Sequence, residues 1–371
     1  MIYLFLLVFA LQLYLWVLVL PTGYGRQEVY AIDEKRTSPV SIIVCFRNEE
    51  ATLGPLLEKI IAQTYPGRWE LVLVDDNSTD ASASVVHPYA IRYDNVRLVE
   101  PGPTRPGKKD ALTYGIRHAR YDHLLLTDAD CVPASSHWLW LMTEPLRWGQ
   151  ELVLGVSPLV RGRVGGWLGR WQYFESVYVS IKYLSWAANG RPFMGVGRNL
   201  AYTRAYFDRV GGFTTHADLA GGDDDLLVAG NATAERTARV TDPAAWTHAA
   251  AQPAWADYFR QRARHQSTGG RYPKSVAFGL GLLALSHGLF FLLGFVLLFT
   301  SWWQCALLAY GLRLFAVSAV FRRPFAGAAA GAEGGWKSGV RWAGTLILGD
   351  ALVGPMYLYL GVRSWFGTGS W

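Results

Sequence analysis

Charge is scarce in this chain. Only 17% of its 371 residues are Asp, Glu, Lys or Arg, against 51% hydrophobic residues and 16 Trp. That balance is too apolar for an ordinary soluble domain of this size and calls for membrane segments. Cysteine is scarce too. Cys45, Cys131 and Cys305 are scattered, without the spacing of a metal site or a disulfide framework. There is no basic-aromatic patch and no nucleic-acid motif, so the net charge of +6 points to a nucleotide diphosphate or acidic lipid headgroups ahead of nucleic acid. The N-terminal apolar run Ile2–Leu20, interrupted only by Gln12, lacks the basic n-region and small-residue cleavage site of a secretory signal. Its length fits one crossing of a hydrocarbon core about 30 Å thick, and it is expected to be an anchor.

What remains has room for one domain of about 200–250 residues and several further spans. The composition is globular from Pro39 to about Pro273 and apolar again from Ser275. Spans are expected at Val276–Phe299, Trp302–Phe321 and Trp342–Val362, with Thr300 and Ser301 as a tight hairpin between the first two. The division is therefore 1–22 anchor, 39–272 globular domain and 275–371 membrane domain of three helices. Arg26, Lys35 and Arg36 follow the first span. Arg260, Arg262, Arg264, Arg271 and Lys274 precede the second, and Arg322, Arg323, Lys337 and Arg341 separate the last two. With four spans all of these fall on one side, which the positive-inside rule makes the cytosol, leaving both termini outside. The expected location is a bacterial inner (plasma) membrane. Arg313 and Asp350 sit eight residues inside the third and fourth spans from that same face. Both are thus about 12 Å deep. Charges there are costly enough that the two side chains are expected to meet.

The globular part alternates strand and helix. Val40–Cys45, Glu70–Val74, Val96–Val99 and His123–Thr127 are short apolar runs that read as buried strands. Glu50–Ala62 has helical spacing at Leu53, Leu56, Leu57, Ile60 and Ile61, and Lys108–Ala119 reads as a second helix. This alternation argues for an α/β domain with a mainly parallel sheet and helices on both faces, and ligands bind such sheets beyond the carboxyl ends of the strands. Polar clusters stand there: Arg47-Asn48-Glu49, Asp75-Asp76-Asn77 and Asp128-Ala129-Asp130. The last offers two hard carboxylates, suited to Mg2+ or Mn2+ on a diphosphate, although an isolated pair of this kind is more often a solvated turn. Asp75 and Asp76 can accept hydrogen bonds from a nucleoside, while Asn77, Ser78 and Asp80 are turn and cap residues. Trp167, Trp171, Phe174, Tyr178, Ile181 and Leu184 form an apolar helical stripe, read as core ahead of a helix lying at the headgroup level. Gly102–Lys109 nearly fits a P-loop but ends in Lys109 where a hydroxyl belongs. The sequons at Asn77 and Asn231 would not meet glycosylation machinery in the cytosol.

An ordered set of motifs then becomes specific. SPVSIIVCFRNEEATLGPLLEKIIAQTYPGRWELVLVDDNSTDAS resembles the opening of the family-2 glycosyltransferases. GKKDALTYGI is similar to that family's GKxxAL segment, TDAD to its DxD, FMGVGRNLAYTRAYFDRVGGF to its acceptor-side segment, GGDDDL to its GED motif and QRARH to its QxxRW. The resemblance covers about residues 39–270. It implies a GT-A fold and inverting transfer from a nucleotide-sugar donor, usually a UDP-sugar. It implies Asp130 as main metal ligand with Asp128 on metal or sugar, and Glu49, Asp75 and Asp76 on the nucleoside. Lys108 falls at the donor phosphate or sugar. Asp224 aligns with the family's base, and the run of three Asp leaves Asp223 open. Gln261 and Arg264, at i and i+3, face one way on a helix, where the Arg fork can grip diphosphate. Arg260, Arg262 and Arg271 read as lipid-headgroup contacts. The family's Trp is His265 here, which counts against indole stacking and with it a processive mechanism. His265 either hydrogen-bonds an acceptor or packs. Three functions are therefore weighed: transfer to a lipid acceptor, processive polysaccharide synthesis, and non-catalytic nucleotide binding. Retention of every acidic motif counts against the last. Nothing in the sequence sets the oligomeric state.

Overall fold

The computed structural model describes residues 1–25, 37–160, 164, 166–219, 221–266, 268–331 and 339–365, with side chains placed only to 326 in the penultimate helix and from 343 to 360 in the last. Arg26, Lys35, Arg36 and Lys337, and the side chain of Arg341, lie outside these residues. The chain forms two compact units, 1–26 with 163–191 and 252–370, and 27–162 with 192–251.

The second unit is α/β. In chain order it contains β1 (Val40–Phe46), α1 (Leu53–Ile61), β2 (Trp69–Asp75), α2 (Ser82–Arg92), β3 (Val96–Val99), α3 (Lys109–His118), β4 (His123–Leu126), β5 (Cys131–Pro133), α4 (Trp138–Arg147), β6 (Leu152–Leu154) and β7 (Leu159–Val160). Beyond the second boundary come β8 (Leu200–Thr203), α5 (Arg204–Arg209), α6 (Asp225–Val228), β9 (Thr237–Arg239) and β10 (Thr247–Ala250). A seven-stranded sheet has the order β3-β2-β1-β4-β8-β6-β9, and a three-stranded one the order β5-β10-β7. The first four strands of the large sheet are parallel. β8 then runs antiparallel between β4 and β6. β1 and β2 are buried almost throughout, which is why they read as unbroken apolar runs rather than alternations. Leu53, Leu56, Leu57 and Ile60 on α1 pack into the same core, one helical face as their spacing required.

The first unit holds the apolar helices. Four are long and apolar enough to cross a membrane: Ile2–Tyr24, Lys274–Leu297, Trp303–Ala326 and Ala343–Leu360. They match the one N-terminal and three C-terminal spans expected. The last three belong to helices α9 (Lys274–Leu297), α10 (Trp303–Gly331) and α11 (Gly339–Trp365). Thr300 closes the turn between α9 and α10 through its N–H and Oγ1, both donating to the Leu297 carbonyl.

This unit also takes two segments that the sequence boundaries assigned to the globular domain: α7 (Gly166–Ala188) and α8 (Trp255–Gln266). The reason lies in their contacts. Tyr24 and Ser180 share a hydrogen bond of 2.7 Å, and Ser185 Oγ donates to the Leu20 carbonyl at 2.8 Å. A Cβ on Gly23 would fall 2.7 Å from Ser185 Oγ, so only glycine lets the chains approach so closely. The α7 stripe is core, and more than a stripe. Gln172, Glu175 and Ser180 are buried beside Trp171, Phe174, Tyr178, Ile181 and Leu184, while Trp167 is half-buried.

Arg313 and Asp350 do meet. Arg313 Nη1 pairs with one carboxylate oxygen and Nη2 donates to the other at 3.1 Å, with both residues buried. Arg313 Nε donates to Gln12 Oε1 at 2.8 Å, Nη2 to His287 Nδ1 at 2.9 Å, and Gln12 Nε2 to Ser286 Oγ at 2.7 Å. All four apolar helices thus meet at one guanidinium. Removing either member of a buried pair strands the other charge, which costs about 3 kcal/mol or more. Arg313→Ala and Asp350→Ala are each expected to cost that much in detergent-solubilised unfolding, and the double variant little more than either single. Additive losses would refute the coupling.

Candidate active site

The strand ends of the α/β unit build the site. After β1 the chain turns through Asn48 and after β2 through Asn77, at φ 57° and 60°, a left-handed backbone that Asn tolerates better than most residues. The two turns are laced together. Asn48 Oδ1 accepts the Thr79 N–H at 2.7 Å, and Ser82 Oγ accepts the Glu49 N–H at 2.7 Å. Asp75 Oδ1 accepts the Ser78 N–H at 2.8 Å, so Asp75 builds the turn, while Asp76 Oδ1 accepts Thr104 Oγ1 at 2.6 Å. Both carboxylates are buried. Asp80, exposed, caps the following turn through Ser82.

Across the sheet, β4 delivers Thr127, Asp128 and Asp130. One oxygen from each carboxylate and the Cys131 sulfur lie within 4.8 Å of one another. Burial pushes the Asp130 carboxyl up, and the neighbouring Asp128 charge adds to it. A cation there would relieve both effects, and two hard oxygens fit Mg2+ or Mn2+. Cys131 escaped the sequence reading because its partner comes from side-chain geometry. Burial holds its thiol well above the usual range, and it donates to Asp130 Oδ1 at 3.3 Å, so it supports a ligand rather than serving as one.

Lys108 ties this group to the acidic run. Its Nζ lies 2.7 Å from Asp128 Oδ1 and 2.9 Å from Asp223 Oδ2. Burial alone would lower its pKa, but the two carboxylates overcome that and raise it, so the ammonium stays charged. Asp224, next in sequence, points its Oδ2 at the Gly197 N–H, 2.9 Å away, and its Oδ1 accepts the Asp225 N–H. Desolvation, with Asp223 and Asp225 nearby, pushes its carboxyl up to about 7. Glu49 is half-buried and also raised, by burial first and then by Asp130 and Asp128, with Thr52 Oγ1 donating to it at 2.6 Å.

The structure therefore brings together Lys108, Asp128, Asp130, Asp223 and Asp224, with Glu49 in electrostatic reach. Gln261, Arg264 and His265 lie on α8, in the other compact unit, with His265 exposed. Arg262 corrects an expectation. It is not a headgroup contact but is buried and ion-paired with Glu175. Its position, two residues from Arg264, turns it onto a different face of α8. Residues 197–199 were visible only as part of a resembling segment. Gly197 supplies a backbone N–H, and a Cβ there would meet Lys108 Nζ at 3.1 Å. Asn199, buried, receives the Trp138 indole and donates to the Val156 and Ala245 carbonyls.

The carboxylate pair after β4, the strand ends beside it and an acidic run held by one lysine thus stand together, and residues 41–211 match the model described as Glycosyl transferase family 2. That stretch is similar to a family 2 glycosyltransferase domain. A probable glycosyltransferase of Bacillus subtilis (strain 168) is 25% identical over 255 residues, 62% of this chain and 55% of its own length. A dolichyl-phosphate beta-glucosyltransferase of Trichomonas vaginalis is 41% identical over 106 residues, 27% of this chain and 32% of its own length. The chain thus spans about half, or less, of the curated relatives it matches. Among solved structures, a mannosyltransferase of Pyrobaculum calidifontis in complex with GDP-Man and Mn2+ superposes with a TM-score of 0.55 at 22% identity, covering 94% of this chain and 96% of that one. The fold of the α/β unit is GT-A.

Proposed function

We propose that this chain is a membrane-embedded, metal-dependent hexosyltransferase. In this reading it moves a sugar, with inversion, from a nucleotide-sugar donor to a hydroxyl of a membrane-associated lipid acceptor. The observation that carries the reading is Lys108, which joins the Asp128 carboxylate to Asp223 at 2.7 and 2.9 Å and so sets a metal-type carboxylate pair beside a base-type acidic run. Asp130 and Asp128 would hold a divalent cation, whose charge, when bound, favours departure of the diphosphate. Glu49, Asp75 and Asp76 face the nucleoside side. Asp224, near neutrality, accepts the proton of the attacking hydroxyl. By the resemblance Gln261, Arg264 and His265 also belong to the proposed set, Arg264 as a diphosphate ligand, with His265 either hydrogen-bonding an acceptor or packing. The four apolar helices support an integral membrane protein. The basic residues flanking them favour a cytosolic catalytic unit, and the expected membrane is a bacterial inner one. The donor is a UDP-sugar by family habit, although the mannosyltransferase relative holds GDP-Man. The lipid acceptor is supported by the name of the dolichyl-phosphate relative.

The experiment is a panel of radiolabelled nucleotide sugars with purified protein, Mn2+ and a host lipid extract. Label in the organic phase is the expected result. Label in aqueous polymer would favour a processive synthase, and label in neither would sink the enzymatic reading.

A further inference from the structure

Most cations of the α/β unit near the strand ends are already engaged. Lys108 is held by two carboxylates. Lys109 donates to the His216 and Leu219 carbonyls, each at 2.7 Å. Arg198 differs. Its backbone is fixed from two sides, because Thr127 Oγ1 and Thr247 Oγ1 each donate to its carbonyl at 2.9 Å. Thr127 directly precedes Asp128, and the pairing of Leu126 with Leu200 sets the same register between β4 and β8. Arg198 is therefore anchored to the strand end that carries the carboxylate pair, and its neighbour Gly197 holds Asp224.

Arg198 is half-buried as a residue, and among the described residues its side chain makes no ion pair. Its charge nevertheless reaches Asp130, where it opposes the upward push of burial and of Asp128. This half-buried cation with a fixed backbone thus stands in electrostatic reach of a carboxylate pair without pairing directly with it, and a metal ion on those carboxylates would neutralise the nearby negative charge. The planar fork of arginine matches phosphate oxygens two at a time, and such oxygens also suit the neighbouring metal-type carboxylates as co-ligands. We propose that Arg198 grips phosphate oxygens of a reactant, either the diphosphate of the donor or a phosphate monoester on the lipid acceptor. This rests on the glycosyl-transfer reading of the same site.

Calorimetric titration of the full chain in detergent with Mn2+ tests it. The probes are UDP, GDP, a short-chain polyprenyl phosphate and the corresponding polyprenol, and the variants are Arg198→Gln and Arg198→Lys, with thermal unfolding as the check on folding. Arg198→Gln is expected to weaken a phosphate-bearing probe at least about 10-fold and to leave the polyprenol unchanged. Arg198→Lys keeps the charge but loses the fork, and is expected to lose about 3-fold or more. A loss confined to a nucleoside diphosphate assigns Arg198 to the donor, and one confined to the polyprenyl phosphate assigns it to the acceptor. If native protein binds a phosphate probe and the variants bind it equally well, the proposal is overturned. Should Arg198→Gln fail to fold, unchanged affinity in Arg198→Lys overturns it alone. If native protein binds neither UDP nor GDP with Mn2+, the glycosyl-transfer reading falls first and takes this proposal with it.

Discussion

Asp130→Ala is expected to cut sugar transfer at least about 100-fold, the usual scale for losing a key electrostatic group at a reacting centre. The residue is one of two carboxylates at the end of β4, its carboxyl pushed up by burial and then by Asp128. A second carboxylate that close is expensive to keep ionised unless a cation is there to share. The variant should therefore lose its response to Mn2+ as well as its rate. In native protein, EDTA should abolish transfer and Mn2+ restore it. Asp130→Ala should stay low under both conditions while its unfolding temperature remains near native. Full native activity in EDTA would remove the metal and the role of Asp130 together.

Asp224→Asn should separate binding from chemistry. The amide keeps the shape and can still accept the Gly197 N–H, but it cannot take a proton from an incoming hydroxyl. Donor binding should survive, and transfer should fall about 100-fold or more. The native carboxyl is pushed up to about 7, by desolvation first and then by Asp223 and Asp225. A base acts only when deprotonated. Native activity should therefore be high above pH 7 and decline as the pH falls through it, and the residual activity of Asp224→Asn should lack that limb. Asp223 offers the contrast, since its carboxylate is already engaged by Lys108 at 2.9 Å. An inactive Asp223→Asn beside an active Asp224→Asn would move the base one residue back.

The parallel half of the sheet was legible because its strands are buried on both faces. Val40–Cys45 and Glu70–Val74 could be read from apolar runs alone, and the polar clusters marked the strand ends. The remaining short strands were not. β5, β6, β7 and β9 have two or three residues each, too short for a period to register, and they are defined by pairing with distant strands. At the site, the carboxylates could be read as residue types at strand ends. Gly197 and Arg198 could not, because the glycine acts through an N–H and the arginine backbone through a carbonyl. Arg262 was misplaced for a similar reason. A run of basic residues looks uniform until Glu175, far upstream, selects one of them. Arg313 and Asp350 succeeded because depth in a membrane is countable along a helix.

The cluster around Arg313 also bears on the order of synthesis. Gln12 leaves the ribosome 301 residues ahead of the arginine that will bind it, and Arg313 precedes Asp350 by 37. In the membrane reading proposed above, the first helix waits in the bilayer until Ser286 and then Arg313 reach its amide, and the third cannot lodge comfortably until the fourth arrives. Insertion and assembly become separate events. A helix that has crossed singly is a provisional guest, and a quality-control protease that recognises unpaired charge in lipid would find its substrate in any chain released before residue 350.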